Sequence, residues 1–140
     1  MKSNIVIDTN VLLVSIPSKS IYRPIFQALL DNKYNLVVSN EIISEYAEII
    51  GLKANKVVSD NFIDNLLVLP NVIKVDVFYK WELIKNDADD NKFVDCALAG
   101  NAKLLVSNDR HFNVLKEIDF PKLECIEATN FLEKLKNKNI

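Results

Sequence analysis

Residues 4–10, NIVIDTN, decide the fold: three consecutive β-branched apolar residues, then an aspartate opening a polar turn. A short unbroken apolar run of this kind fits a strand buried on both faces. Asp8 then stands at the carboxyl end of that strand. Two later stretches repeat the form, NLVVSNE at residues 35–41 and KLLVSND at residues 103–109. Both leave an apolar run through a serine and an asparagine and arrive at an acid. They are similar strand exits rather than a duplication.

Working outward, the first strand spans residues 2–8, and a short helix over 11–16 stops at Pro17. Residues 22–30 carry a helical stripe of Ile25, Phe26, Leu29 and Leu30. The second strand covers 35–38, and a helix over 40–50 starts from Ser39 or Asn40 as cap. Residues 52–69 read as one more helix or a helical pair closed by Pro70. A third strand is predicted over 72–77, a helix over 91–101, a fourth strand over 104–107, a short fifth over 123–126 and a last helix over 129–136. Strands alternating with helices imply a largely parallel sheet covered on both faces. Ligands of such sheets bind at the carboxyl ends of the strands, near the point where strand order reverses.

The 140 residues suit one domain, 1–140, with no internal repeat or linker and a charged tail, KLKNKNI, expected to fray. Apolar residues make up 49% and charged ones 26%, an ordinary globular balance with enough apolar side chains for a core. The net charge of −2 provides no overall basic field, which argues against a nucleic-acid coat protein but not against an enzyme acting on RNA. Two glycines exclude a glycine-rich phosphate loop. The single histidine, His111, gives no ligand cluster for zinc and no Ser-His-Asp triad; it reads as a surface or capping residue. Cys96 and Cys125 fall in apolar patterns and read as buried thiols. With no signal-peptide pattern and no long apolar run, the expected location is the cytoplasm, away from membranes.

Four acids are aimed at one edge of this sheet. Asp8 and Asp109 each follow a strand. On the helix over 40–50, at about 100° per residue, Glu45 lies on the rim of the stripe made by Ile42, Ile43, Tyr46, Ile49 and Ile50. Glu41 and Glu48 fall further toward solvent. Asp90 lies in line with the stripe Phe93, Val94, Ala97 and Leu98, at the amino end of its helix. Asp95 projects to the opposite side and is expected in solvent, and Asp87 and Asp89 belong to the preceding loop with no defined direction. Each acid also has a structural explanation: an Asx turn for Asp8 and Asp109, a rim position for Glu45, a helix cap for Asp90. Their agreement is what points to a site. Converging carboxylates penalise one another's ionisation, and a divalent cation with a taste for hard oxygen ligands, magnesium or manganese, relieves that penalty. The chemistry implied is cation-assisted attack on a phosphate ester. Phe78, Tyr79 and Trp81 read as core or a subunit contact, with base stacking as a further option.

The segments IVIDTNVLL, LVVSNEIISEYAEII and DADDNKFVDCALAGNAKLLVSNDRHF resemble, in order and spacing, the PIN (PilT N-terminal) nuclease family, in particular its members described as toxins of toxin–antitoxin pairs. The resemblance covers most of the chain. It implies a Rossmann-like three-layer α/β/α fold with about five parallel strands, Mg2+- or Mn2+-dependent RNA cleavage, frequent homodimers and a possible protein antitoxin. It maps the family's acids onto Asp8, Glu45, Asp90 and Asp109 as catalytic residues and metal ligands. The supporting polar residues fall on Asn10 and Ser107, with Thr9 beside them. Arg23, Lys92 and Arg110 are the cations assigned to phosphate contacts. The chain departs from the pattern at Asn108, where many relatives have glycine, and at His111, where many have a further aspartate. Other readings are an RNA-processing nuclease outside any toxin–antitoxin pair and a non-catalytic RNA- or protein-binding module. A receiver domain or haloacid-type phosphatase also puts acids at strand ends, but it requires a second acid near Asp8 where Asn10 stands.

Overall fold

The computed structural model describes residues 2–140. Five strands, β1 (Asn4–Ile7), β2 (Asn35–Val38), β3 (Val72–Lys74), β4 (Leu104–Val106) and β5 (Cys125–Ile126), form one sheet in the order β3-β2-β1-β4-β5, every pair parallel. Around it lie helices α1 (Thr9–Ser15), α2 (Arg23–Leu30), α3 (Asn40–Lys53), α4 (Lys56–Leu67), α5 (Asn91–Ala99) and α6 (Ala128–Lys136), with 3-10 turns at Ala88–Asp90 and Arg110–Glu117. Consecutive strand residues point to opposite faces. Ile5, Val6, Ile7, Leu36, Val37, Val38, Leu104, Leu105 and Val106 are all fully buried, so both faces of the three central strands are covered. This is the expected three-layer α/β/α arrangement.

The chain steps from β1 to β2 to β3 in one direction, then crosses back to place β4 on the other side of β1. The strand order therefore reverses between β1 and β4, and the exits of those two strands, Asp8 and Ser107–Asp109, flank the switch point. Tyr46 of α3 is fully buried and donates from its hydroxyl to the Ile7 carbonyl at 2.5 Å, pinning α3 to the end of β1.

Several boundaries differ from the sequence reading. Asp8 itself caps α1, accepting from Val11 N at 3.0 Å, so that helix starts at Thr9 rather than 11. Helix α3 runs on to Lys53, and Asn55 caps α4 through Val58 N, so the segment 52–69 holds one helix, shorter than expected at both ends. The outer strands β3 and β5 are shorter than expected, each being bonded on one side only. The last residues, expected to fray, are helical to Lys136, and Ile140 rests against the core. No helix among the described residues is long and apolar enough to cross a membrane.

Candidate active site

Asp8 is buried at the end of β1 because its backbone N–H still belongs to the sheet, donating to the Val106 carbonyl at 3.0 Å, while its side chain already caps α1. Its Oδ1 accepts from Val11 N, and its Oδ2 accepts from the Ser107 hydroxyl. Ser107 Oγ in turn accepts from Asp109 N at 3.0 Å, so one serine ties the exits of β1 and β4 together. Burial pushes the Asp8 carboxyl above its ordinary range. The Ser107 and Val11 hydrogen bonds pull it back, and the charges of Asp109 and Glu45 add to the upward push.

Asp90 stands at the amino end of α5, where the sequence offered helix capping as its explanation. Its side chain makes no capping hydrogen bond. Its Oδ2 is buried without any hydrogen-bond partner, although 15% of the side chain remains exposed. A buried carboxylate oxygen left unpaired is costly. Desolvation first, then the charges of Asp109 and Asp87, raise its pKa to about 7. Around it, Asp87, Asp109 and His111 each present a donor atom, and the four donors lie within 4.8 Å of one another. His111 Nδ1 is 3.2 Å from Asp109 Oδ1, 3.5 Å from Asp90 Oδ2 and 3.7 Å from Asp87 Oδ2. Asp109 Oδ1 also accepts from His111 N at 2.9 Å, which fixes the turn into residues 110–117. An orphaned carboxylate oxygen in a mixed oxygen and nitrogen donor set fits a divalent cation.

Glu45 sits to one side of this donor set. Its Oε2 accepts from the Thr9 hydroxyl and its Oε1 from Lys92 Nζ at 2.7 Å, with both partners of the ion pair largely buried. Lys92 also reaches Asp89 Oδ1 at 3.0 Å. Lys92, assigned from the sequence to phosphate, is thus engaged by two carboxylates. Asn40, Glu41, Ser44, Glu45, Glu48, Asp89 and Lys92 line an open cleft of about 410 Å³ beside the pair.

Of the remaining expected residues, Thr9 and Ser107 orient Glu45 and Asp8, and Asn10 is exposed on the first turn of α1. Arg110 is exposed immediately after Asp109. Arg23 is engaged away from the donor set: it donates to the Ile16 carbonyl at the end of α1 and to Gln27 Oε1, and its guanidinium lies 5.3 Å from the centre of the Phe26 ring. Asn108 does more than turn the chain, since its Oδ1 accepts from Ala128 N at 2.9 Å and fastens the start of α6.

The sequence reading set aside Asp87 and His111, yet both enter the donor set. Asp87 was hidden because its direction depends on the loop after β3. The one visible hint was its spacing from Asp90 in DADD, which a 3-10 turn places close together. Asp95, expected in solvent, is buried: the loop after β3 folds across α5, and Trp81 N donates to Asp95 Oδ1 at 3.1 Å. Phe78 is 92% exposed and Tyr79 64%, so neither is core.

A family model described as PIN domain matches residues 4–111. Among solved structures, the chain is similar to VapBC2 from Rickettsia felis bound to a DNA fragment from its promoter, with a TM-score of 0.62 and 21% identity over 89% of this chain and 98% of that one. It is similar to VapBC-1 from nontypeable Haemophilus influenzae, with a TM-score of 0.58 and 17% identity over 90% of this chain and 98% of that one. It is also similar to the RRP44 PIN domain of T. brucei, with a TM-score of 0.56 and 16% identity over 97% of this chain and 83% of that domain. No curated protein matches the sequence.

Proposed function

The chain belongs to the PIN-domain family, and from that membership and the acidic site at the β1/β4 switch we propose that it is a metal-dependent endoribonuclease, the toxin of a toxin–antitoxin pair. The observation that carries the reading is the buried, unpartnered Oδ2 of Asp90 among the donor atoms of Asp87, Asp109 and His111. Asp90 and Asp109 would hold a magnesium or manganese ion, with Asp87 and His111 beside them and Asp8 adjoining through Ser107. The cation supplies positive charge that activates water and stabilises charge building on the phosphodiester.

The protein's own residues set the stage for that chemistry. Ser107 and Val11 N hold the Asp8 carboxylate in one orientation, so it faces the switch point without rearranging. Thr9 and Lys92 hold the Glu45 side chain in place at the neighbouring wall. Arg110, exposed beside Asp109, is a cation placed to meet the RNA backbone. The similar VapBC structures favour the toxin reading over a free-standing RNA-processing enzyme, and a protein antitoxin and a second copy of the chain are the proposed partners.

Purified protein and its Asp8→Asn variant, incubated with RNA and magnesium, test this reading. Cleavage by the original at a rate at least about a hundredfold above the variant is expected. Equal cleavage by both would place the chemistry elsewhere. Growth arrest on expression without a cognate antitoxin is the outcome expected of a toxin, and unimpaired growth at high expression removes that part of the proposal.

A further inference from the structure

The donor set around Asp90 is not an all-carboxylate one. His111 enters it through Nδ1, which faces three carboxylate oxygens at 3.2, 3.5 and 3.7 Å. Two donors bound to one ion at about 2.1 Å and at tetrahedral or right angles stand about 3.0–3.4 Å apart. The separations around His111 are within a few tenths of an ångström of that spacing. The set is also accessible, because the His111 and Asp87 side chains are each 41% exposed and that of Asp109 is 37% exposed. Asp90 Oδ2 supplies a further sign of a missing ligand, being buried without a hydrogen-bond partner and having His111 Nδ1 only at 3.5 Å. Glu45, the acid expected to complete an oxygen shell, is instead held by Lys92 and Thr9.

We propose that Asp87, Asp90, Asp109 and His111 form a mixed nitrogen–oxygen site that selects a first-row transition cation, with manganese(II) as its simplest occupant, over magnesium. This deepens the cation-dependent reading above and rests on it for its biological sense. The selection follows from donor chemistry. Magnesium takes oxygen ligands and parts reluctantly with its water, whereas an imidazole nitrogen suits transition metals. Replacing one carboxylate by a neutral imidazole also removes a negative charge from the set, which weakens its hold on a hard cation.

The sequence makes the test unambiguous, because His111 is the only histidine in the chain. Any imidazole nitrogen coupled to a bound manganese in tag-free protein therefore belongs to His111. Manganese(II) is titrated into the metal-free protein and followed by the loss of its free-ion electron paramagnetic resonance. Pulsed measurements on the bound ion then look for nitrogen modulation, and magnesium competition gives the preference. The expected result is nitrogen modulation in the original protein and its loss in His111→Asp, with the manganese-over-magnesium preference falling on the order of tenfold. Bound manganese without nitrogen modulation overturns the proposal, as does absence of binding or an unchanged preference in the variant. The modulation in the original protein is decisive even if the variant fails to fold. RNA is absent from these measurements, so the two readings fail separately. Modulation without RNA cleavage keeps the site and removes the ribonuclease reading, and cleavage without modulation does the reverse.

Discussion

Replacing Asp90 by asparagine should stabilise the cation-free protein. The Asp90 carboxyl is raised from 3.8 to about 7, chiefly by burial and then by Asp109 and Asp87. Because the folded-state value lies above the unfolded one, the folded protein binds this proton more tightly. Stability is therefore lost as pH rises from about 4 to about 7, and the whole cost is present above that. A shift from 3.8 to about 7 corresponds to at most about 4 kcal/mol at roughly 1.4 kcal/mol per pH unit. The side chain is 15% exposed and His111 stands beside it, so screening brings the expected gain nearer to about 2 kcal/mol. For a chain of this size that is a rise in Tm of about 6 °C. No capping hydrogen bond is lost in the exchange, because Asp90 makes none. The assay is thermal unfolding of both proteins in chelator at pH 8 and pH 4, repeated at pH 8 with manganese. Asp90→Asn should be the more stable at pH 8, lose most of its advantage at pH 4, and be overtaken by the original when manganese is present. A variant no more stable than the original at pH 8 in chelator, or a gain unchanged at pH 4, would refute this account of the site.

Other substitutions probe the supports. Lys92→Met removes the partner of the largely buried Glu45 and should cost about 3–5 kcal/mol in urea unfolding at neutral pH. Tyr46→Phe leaves the Ile7 carbonyl without its hydroxyl donor and should cost about 1–3 kcal/mol, with RNA cleavage falling as α3 loses its anchor to β1. Gly100→Ala places a methyl 2.5 Å from Val37 Cγ1, so unfolding should show an overpacking loss of about 1–3 kcal/mol while metal affinity is unchanged. Ser107→Ala frees one oxygen of Asp8 and the Asp109 amide together, and RNA cleavage should fall by about tenfold or more while the far-ultraviolet circular dichroism stays the same.

The strands were legible because three of them are short apolar runs buried on both faces, which leaves no polar alternation to confuse the reading. The exits of β1 and β4 were legible for the same reason: the acid that follows each of these two runs has to stand at the sheet edge. That placed Asp8 and Asp109 correctly at the switch point. The wheel on α3 also put Glu45 at the rim, where it is found. What the residues could not disclose was which groups meet across distant segments. Lys92 pairs with Glu45 across 47 positions of sequence. Asp87 and Asp95 take their surroundings from the path of the loop after β3, which carries no period. His111 was underestimated because a lone histidine has no sequence partner, and its three carboxylates come from two separate segments. Asn71, which no sequence pattern singles out, is buried and donates from Nδ2 to the carbonyls of Leu29 and Tyr34, holding the start of β3 against the sheet.

The central claim, RNA cleavage by a cation held at the Asp90–Asp109 cluster, is tested most directly by one cleavage reaction. RNA is incubated with chelated protein, then with manganese or magnesium restored, for the original and for Asp109→Asn. The account predicts no cleavage in chelator, recovery with the cation, and little recovery in the variant. Cleavage that persists in chelator, or an Asp109→Asn protein that recovers fully, would contradict it.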